Sequence, residues 1–188
     1  MLFEARYPAL FHVADRAAVD LIRRDGLLPA QELVARHGGD ARWLRSNRDG
    51  YCELAPGVAL RRQGMRDGAL RPRLDAAIGT DEWRWFINGM AFLFGREAEA
   101  SRFVRTEPGR EQVVLRYETA AVLRAGVGLR ACRFNNGFID RSPVAMARRR
   151  GFDDYRAVAA WAGQAVREVV APGGIPAGVP FAVLPGLP

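Results

Sequence analysis

The chain has 188 residues and a mass of 20.8 kDa, with 49% hydrophobic and 26% charged residues. That length is enough for one hydrophobic core, and the composition excludes a mainly disordered or fibrous chain. Every one of the 28 basic residues is arginine, against 21 acidic residues, for a formal charge of +7. Arginine presents a planar fork suited to phosphate and carboxylate, so the excess favours anionic partners. It equally fits a surface on which arginine simply replaces lysine.

Cys52 and Cys132 are the only cysteines, too few for a disulfide scaffold or a cysteine zinc site. No run approaches the roughly 18 apolar residues of a membrane span, and the opening residues lack the basic start and apolar middle of a signal peptide. The expectation is a single domain over residues 1–188, cytoplasmic, monomeric and without a membrane partner.

In chain order, ALFHV reads as a strand carrying His12. The stretch DRAAVDLIRRDG follows as a helix, with Asp15 at its cap and Gly26 at its stop. Pro29 opens a second helix that ends at Gly38 and Gly39. Residues 40–68 read as loop with one short strand at Val58 to Leu60. A short helix, a Thr80 cap and an aromatic run leading into the strand MAFLF come next. Gln112 to Tyr117 and Leu129 to Phe134 read as strands, with a helical turn at Thr119 to Leu123 between them. The C-terminal stretch divides into a strand, a Pro/Gly turn and a final strand. Short strands with short flanking helices give an α+β class, with neither repeats nor a second core.

With two histidines in the chain, a multi-histidine metal centre is not expected. His37, at a helix end, reads as a surface or capping residue. His12, at the end of a strand, is placed to hydrogen-bond a ribose or an amide, or to serve as a satisfied core histidine. Glu168 lies among β-branched residues in VREVV. A carboxylate there must face solvent, pair with a base or line a pocket. Plain alternation puts it on the side of Val166 and Val170, with Arg167 facing the other way.

The aromatics Trp83, Trp85, Phe86, Phe92 and Phe94 supply core area first, and are also able to stack on a nicotinamide or a base. Asn88 and Gly89 mark a helix-to-strand junction where backbone can approach a ligand. The turn Asn135, Asn136 and Gly137, with Arg141 and the run Arg148 to Arg150, offers donors for phosphates or a solvated basic loop. The chain has no GxxxxGK loop, strand-led GxGxxG, HExxH or GxSxG, so nucleotide hydrolysis, a Rossmann dehydrogenase, a zinc protease and an α/β-hydrolase lack their signatures.

The opening FHVADRAAVDLIRRDGLLP closely resembles the entrance motif of the ADP-ribosyltransferase superfamily, especially its DarT-like, DNA-modifying toxins. His12 falls on the residue that contacts the NAD ribose, and Ala14 stands where the family commonly has threonine. The ending REVVAPGGIPAGVPFAV resembles the family's late strand pair and places Glu168 on its catalytic glutamate. The segment FINGMAFLFG resembles the apolar central strand, with Arg84 before it and Arg96 after it as candidates for the expected arginine, and Asn88 and Phe92 as cofactor contacts. The run RFNNGFIDRSPVAMARRRGF resembles a segment of a related uncharacterised bacterial group.

The resemblance implies two small, mostly antiparallel sheets forming an NAD cleft, with NAD as co-substrate and no metal. It implies mono-ADP-ribosyl transfer to a nucleic acid, DNA before RNA, or to a protein, and a cognate antitoxin as partner. The alternatives are an RNA 2′-phosphotransferase-like enzyme and an inactive basic nucleic-acid-binding module.

Overall fold

The computed structural model describes residues 2–107, 109–134 and 149–184. The turn Asn135, Asn136 and Gly137, together with Arg141 and Arg148, lies outside the described residues.

The chain opens with a single helical turn, α1 (Phe3–Arg6), and then β1 (Ala9–Asp15), which is buried at five of its seven positions. A 3-10 turn at Arg16–Ala18 leads into α2 (Val19–Asp25). Asp15 stands at the start of that turn but makes no side-chain cap; it accepts from Arg110 instead. Pro29 is the N-cap of α3 (Ala30–His37), and Gly38 ends this helix in the left-handed conformation, which costs glycine little.

The stretch read as loop with one strand holds a second strand, so β2 (Cys52–Ala55) and β3 (Val58–Leu60) form an antiparallel hairpin. Helix α4 (Asp67–Leu70) is one turn long. At α5 (Thr80–Asn88) the N-cap is Gly79 rather than Thr80, and Glu82 reaches back to accept from the Gly79 N–H. Strand β4 (Met90–Leu93) follows, then α6 (Glu97–Val104), β5 (Gln112–Glu118), α7 (Thr119–Arg124) and β6 (Arg130–Cys132). The two-residue β7 (Arg156–Ala157), β8 (Glu168–Pro172) and β9 (Phe181–Leu184) complete the strands among the described residues.

All strand pairs within the sheets are antiparallel. One sheet runs β1-β5-β9 and another β4-β8-β6-β7. They meet at Phe11 and Phe94, whose backbones exchange both hydrogen bonds, at 2.9 and 2.7 Å. This is an α+β fold with small antiparallel sheets and short helices.

The main core lies between the inner faces of the two larger sheets. Leu10, Leu115 and Tyr117 from one pack with Leu93, Val169 and Ala171 from the other. A second core covers the opposite face of the four-stranded sheet, where Trp83 and Ile87 of α5 meet Met90, Cys132, Tyr155 and Val170. Strands β8 and β9, adjacent in sequence, do not pair with each other: β8 joins β4 and β6, and β9 joins β5. The segment between them is held to the end of α2 through Leu27 and Ile175, which exchange both backbone hydrogen bonds at 2.8 and 2.9 Å. Gly174, at φ 93°, permits this approach, because a Cβ there would run into the Leu27 carbonyl.

Candidate functional site

Beyond the Phe11–Phe94 contact β1 and β4 part, and His12 occupies the fork. Its Nδ1 lies 2.8 Å from the Phe92 carbonyl oxygen. A carbonyl only accepts, so Nδ1 carries the proton in the neutral ring and Nε2 is left as an acceptor. Among the described residues Nε2 makes no hydrogen bond, and the residue is partly exposed.

Removal from water pushes the His12 pKa down to about 4; the carbonyl contact opposes this and the Arg61 charge adds to it. His12 is therefore a neutral acceptor at physiological pH. Because its pKa falls on folding, the unfolded chain binds more protons between the two values, and stability is lost as pH falls from about 6.5 towards about 4. Going from pH 7 to pH 5 should cost the wild type up to about 2 kcal/mol more than a His12→Gln variant, less whatever solvent screening at the partly exposed ring removes. Denaturant unfolding at the two pH values measures this, and parallel losses in both proteins would refute it.

Arg61, directly after β3, is the basic neighbour that sequence reading missed. Its guanidinium lies over the Phe103 ring at 4.7 Å, and burial lowers its pKa to about 10. Phe103 packs in turn against Phe94, at 5.4 Å between ring centres, within the cluster on the Phe11 and Val13 side of β1. Asp15, at the end of β1, is held by Arg110, which also covers the Tyr51 ring at 3.7 Å.

Glu168 begins β8 and is 6% exposed. Tyr155 donates to its Oε2 at 3.1 Å, and the Cys132 thiol lies 3.9 Å from the same oxygen. Burial and the Glu168 charge push the Cys132 thiol and the Tyr155 phenol up, so both stay protonated. Burial lowers the Arg150 pKa while Glu168 favours its charged form, and Arg150 also stacks over Phe134 at 4.3 Å. Glu168 thus answers the sequence dilemma by burial beside hydrogen-bond donors and a cation. The alternation expected around it holds from Glu168 onward, with Val170 on its face and Val169 on the other. Val166 precedes the strand and packs with the main core instead.

His12 and Glu168 are close in register without touching. Leu93 pairs with Val169 and Phe94 with Phe11, so Glu168 stands at the level of Phe94, two strands from β1, about 10 Å away at the usual strand spacing. The pleat sends them to different faces. Leu10 and Ala14, which flank His12 at two-residue spacing, belong to the main core, whereas Val170, Cys132 and Tyr155 belong to the second.

The other sequence candidates divide clearly. Phe92 is half-buried in β4 and contributes its carbonyl to His12. Asn88 is buried, and its amide N–H groups go to the Leu44 carbonyl at 3.0 Å and Gln63 at 3.2 Å, while its oxygen accepts from Arg48 at 3.2 Å. Arg84, on the buried face of α5, pairs with Asp67 at 2.5 Å and donates to the Met65 carbonyl at 2.5 Å. Asn88 and Arg84 thus tie α5 to the loops before it. Arg96 is exposed at the N-cap of α6. No hydrogen bond or ion pair among the described residues joins either arginine to His12 or Glu168.

Among the described residues no group of three or more His, Cys, Asp or Glu side chains gathers to hold a metal, and no helix is long and apolar enough to cross a membrane. Fold and site together define a small α+β protein with a neutral histidine at a sheet fork and a buried glutamate two strands away. The chain belongs to the family described as "Family of unknown function (DUF7002)", whose model matches residues 8–176. No curated protein and no solved structure matches it.

Proposed function

We propose that this chain is an NAD-dependent mono-ADP-ribosyltransferase with an ADP-ribosyltransferase-like fold, acting on a nucleic acid, with DNA favoured, or on a protein. The observation that carries this reading is His12. Its neutral ring, fixed by the Phe92 carbonyl at 2.8 Å, turns an unshared Nε2 acceptor to the fork between two sheets. That is the polarity a ribose hydroxyl requires. Arg61 adds positive charge beside it, fitting the anionic phosphates of a dinucleotide.

In such a transfer the bond between nicotinamide and ribose breaks, the pair of electrons leaves with nicotinamide, and the acceptor nucleophile bonds to the ribose carbon and loses its proton. The resemblance assigns Glu168 the stabilisation of positive charge that develops on the ribose, a role that its place on the other face of the sheet from His12 does not itself support, and Tyr155 fixes the orientation of its carboxylate. His12 binds and orients. Arg84 and Asn88 hold α5 and the preceding loops in place behind the site.

Calorimetric titration with NAD, followed by incubation with labelled NAD and separate DNA, RNA and protein pools, tests the reading. NAD should bind wild type and bind His12→Ala at least about 10-fold more weakly, the loss expected for a well-aligned hydrogen bond in a desolvated site. Absence of NAD binding by the wild type overturns the proposal. Burial of Glu168 to 6% exposure favours one second reading, a basic nucleic-acid-binding module without turnover. Salt-dependent DNA or RNA binding by a protein indifferent to NAD selects it.

A further inference from the structure

The arginine run that sequence reading marked as a phosphate holder lies partly at a cleft of about 240 Å³ at the open edge of the four-stranded sheet. Among the described residues four arginines line it, Arg133, Arg149, Arg150 and Arg156, with Asp154 as the single acidic side chain. Its remaining wall is largely apolar and includes Phe134 and Trp161.

The register explains why positive charge concentrates here. Ala131 pairs with Arg156 across β6 and β7, and Arg133 directly follows the end of β6 at Cys132, which brings Arg133 and Arg156 to the same edge of the sheet. Both are exposed. The position of Arg150 is fixed from below: its backbone N–H donates to the Arg73 carbonyl and its carbonyl accepts from Asp75, both at 2.8 Å. Its guanidinium lies flat on Phe134 at 4.3 Å. Fixed and mobile guanidinium forks thus share one concavity, the arrangement that binds phosphate oxygens by paired hydrogen bonds.

Size narrows the occupant. A volume of about 240 Å³ is below the roughly 300–1,000 Å³ of sites that enclose a drug-sized ligand. The cleft therefore has room for a phosphate or diphosphate group. It also stands apart from the His12 fork, which lies on the other side of β4 from β8, β6 and β7.

We propose that this cleft is a phosphate-binding site, in which Arg133 and Arg156 grip a mono- or diphosphate group against the fixed guanidinium of Arg150. The proposal stands on the cleft alone and survives failure of the transferase reading. Cys132 and Arg150 belong both to the cleft lining and to the surroundings of Glu168, so a bound phosphate would adjoin that carboxylate.

The test titrates inorganic pyrophosphate, AMP and adenosine into the full chain. Three proteins are compared: wild type, R133Q/R156Q, and R23Q/R24Q, which removes the same charge from α2. Exposed substitutions leave folding intact, and thermal melts confirm it. Pyrophosphate or AMP should bind wild type and the α2 variant alike, and R133Q/R156Q about 10-fold or more weakly, with adenosine binding none of them. Tighter binding of AMP than pyrophosphate identifies the source as a phosphorylated nucleoside, and the reverse order a free diphosphate. No binding of either anion, or equal losses in the two double variants, overturns the proposal.

Discussion

On the transferase proposal, Glu168→Gln should lower ADP-ribosyl transfer by about 10²–10³-fold, the usual loss when one preorganised electrostatic contact to a transition state is removed. Glutamine keeps nearly the same shape and still offers an oxygen to the Tyr155 hydroxyl, whose donor distance to Glu168 is 3.1 Å. The variant should therefore melt close to wild type and retain NAD affinity, with the loss confined to turnover. Glu168→Leu also removes the acceptor facing Tyr155 and should melt lower than Glu168→Gln, because a buried donor that loses its acceptor costs about 1–3 kcal/mol. Measuring kcat, NAD affinity and melting temperature on both variants separates the two roles. A fully active Glu168→Gln would leave Glu168 a purely structural carboxylate.

Trp83→Ala should destabilise the fold by about 3–5 kcal/mol, which for a chain of this size lowers the melting temperature by roughly 10 °C. Trp83 is fully buried and is the hub of the second core, with ring centres 5.7 Å from Phe86, 6.0 Å from Phe152 and 6.4 Å from Tyr155. Through Tyr155 the same cluster supports Glu168. Its indole N–H has no hydrogen-bond partner among the described residues, so Trp83→Phe sacrifices area without abandoning a polar contact. That variant should lose clearly less than alanine. Equal losses for phenylalanine and alanine, or an alanine cost below about 1 kcal/mol, would contradict this account of the core.

Local signals placed the first half of the fold well. The apolar run ending in His12 forms β1, and Pro29 with Gly38 brackets α3, because backbone constraints at proline and glycine act within a few residues. Helix α6 and the residues 149–160 went unread. The α6 sequence, EAEASRFV, buries only Ala100 outright, so its apolar side is hard to distinguish from a polar stretch. Strand β2 of the β2–β3 hairpin was hidden by a sequence with one exposed and three half-buried positions, which leaves little alternation to detect.

The candidate site shows the same division. Glu168 was legible as a carboxylate out of place in an apolar strand, and His12 as a lone histidine in another. Their partners were not legible. Tyr155 reaches Glu168 from 13 residues away, and the Phe92 carbonyl reaches His12 from 80. Arg84 and Arg96 were chosen for nearness in sequence to the central strand, whereas the arginine whose charge bears on His12 is Arg61, held over Phe103 of α6. Helix rotation turns Arg84 towards Asp67 and Met65.

The sequence alone determined the α+β class, the arginine-only positive charge and the two residues, His12 and Glu168, whose chemistry is unusual for their surroundings. Those are properties of composition and of contacts within a few residues, where propensity and side-chain period act directly. The tertiary structure decided that β8 and β9 enter different sheets, that His12 is neutral beside Arg61, and that Arg133 and Arg156 share one cleft. Each of those depends on strand register and long-range closure, which bring together atoms that no local pattern relates.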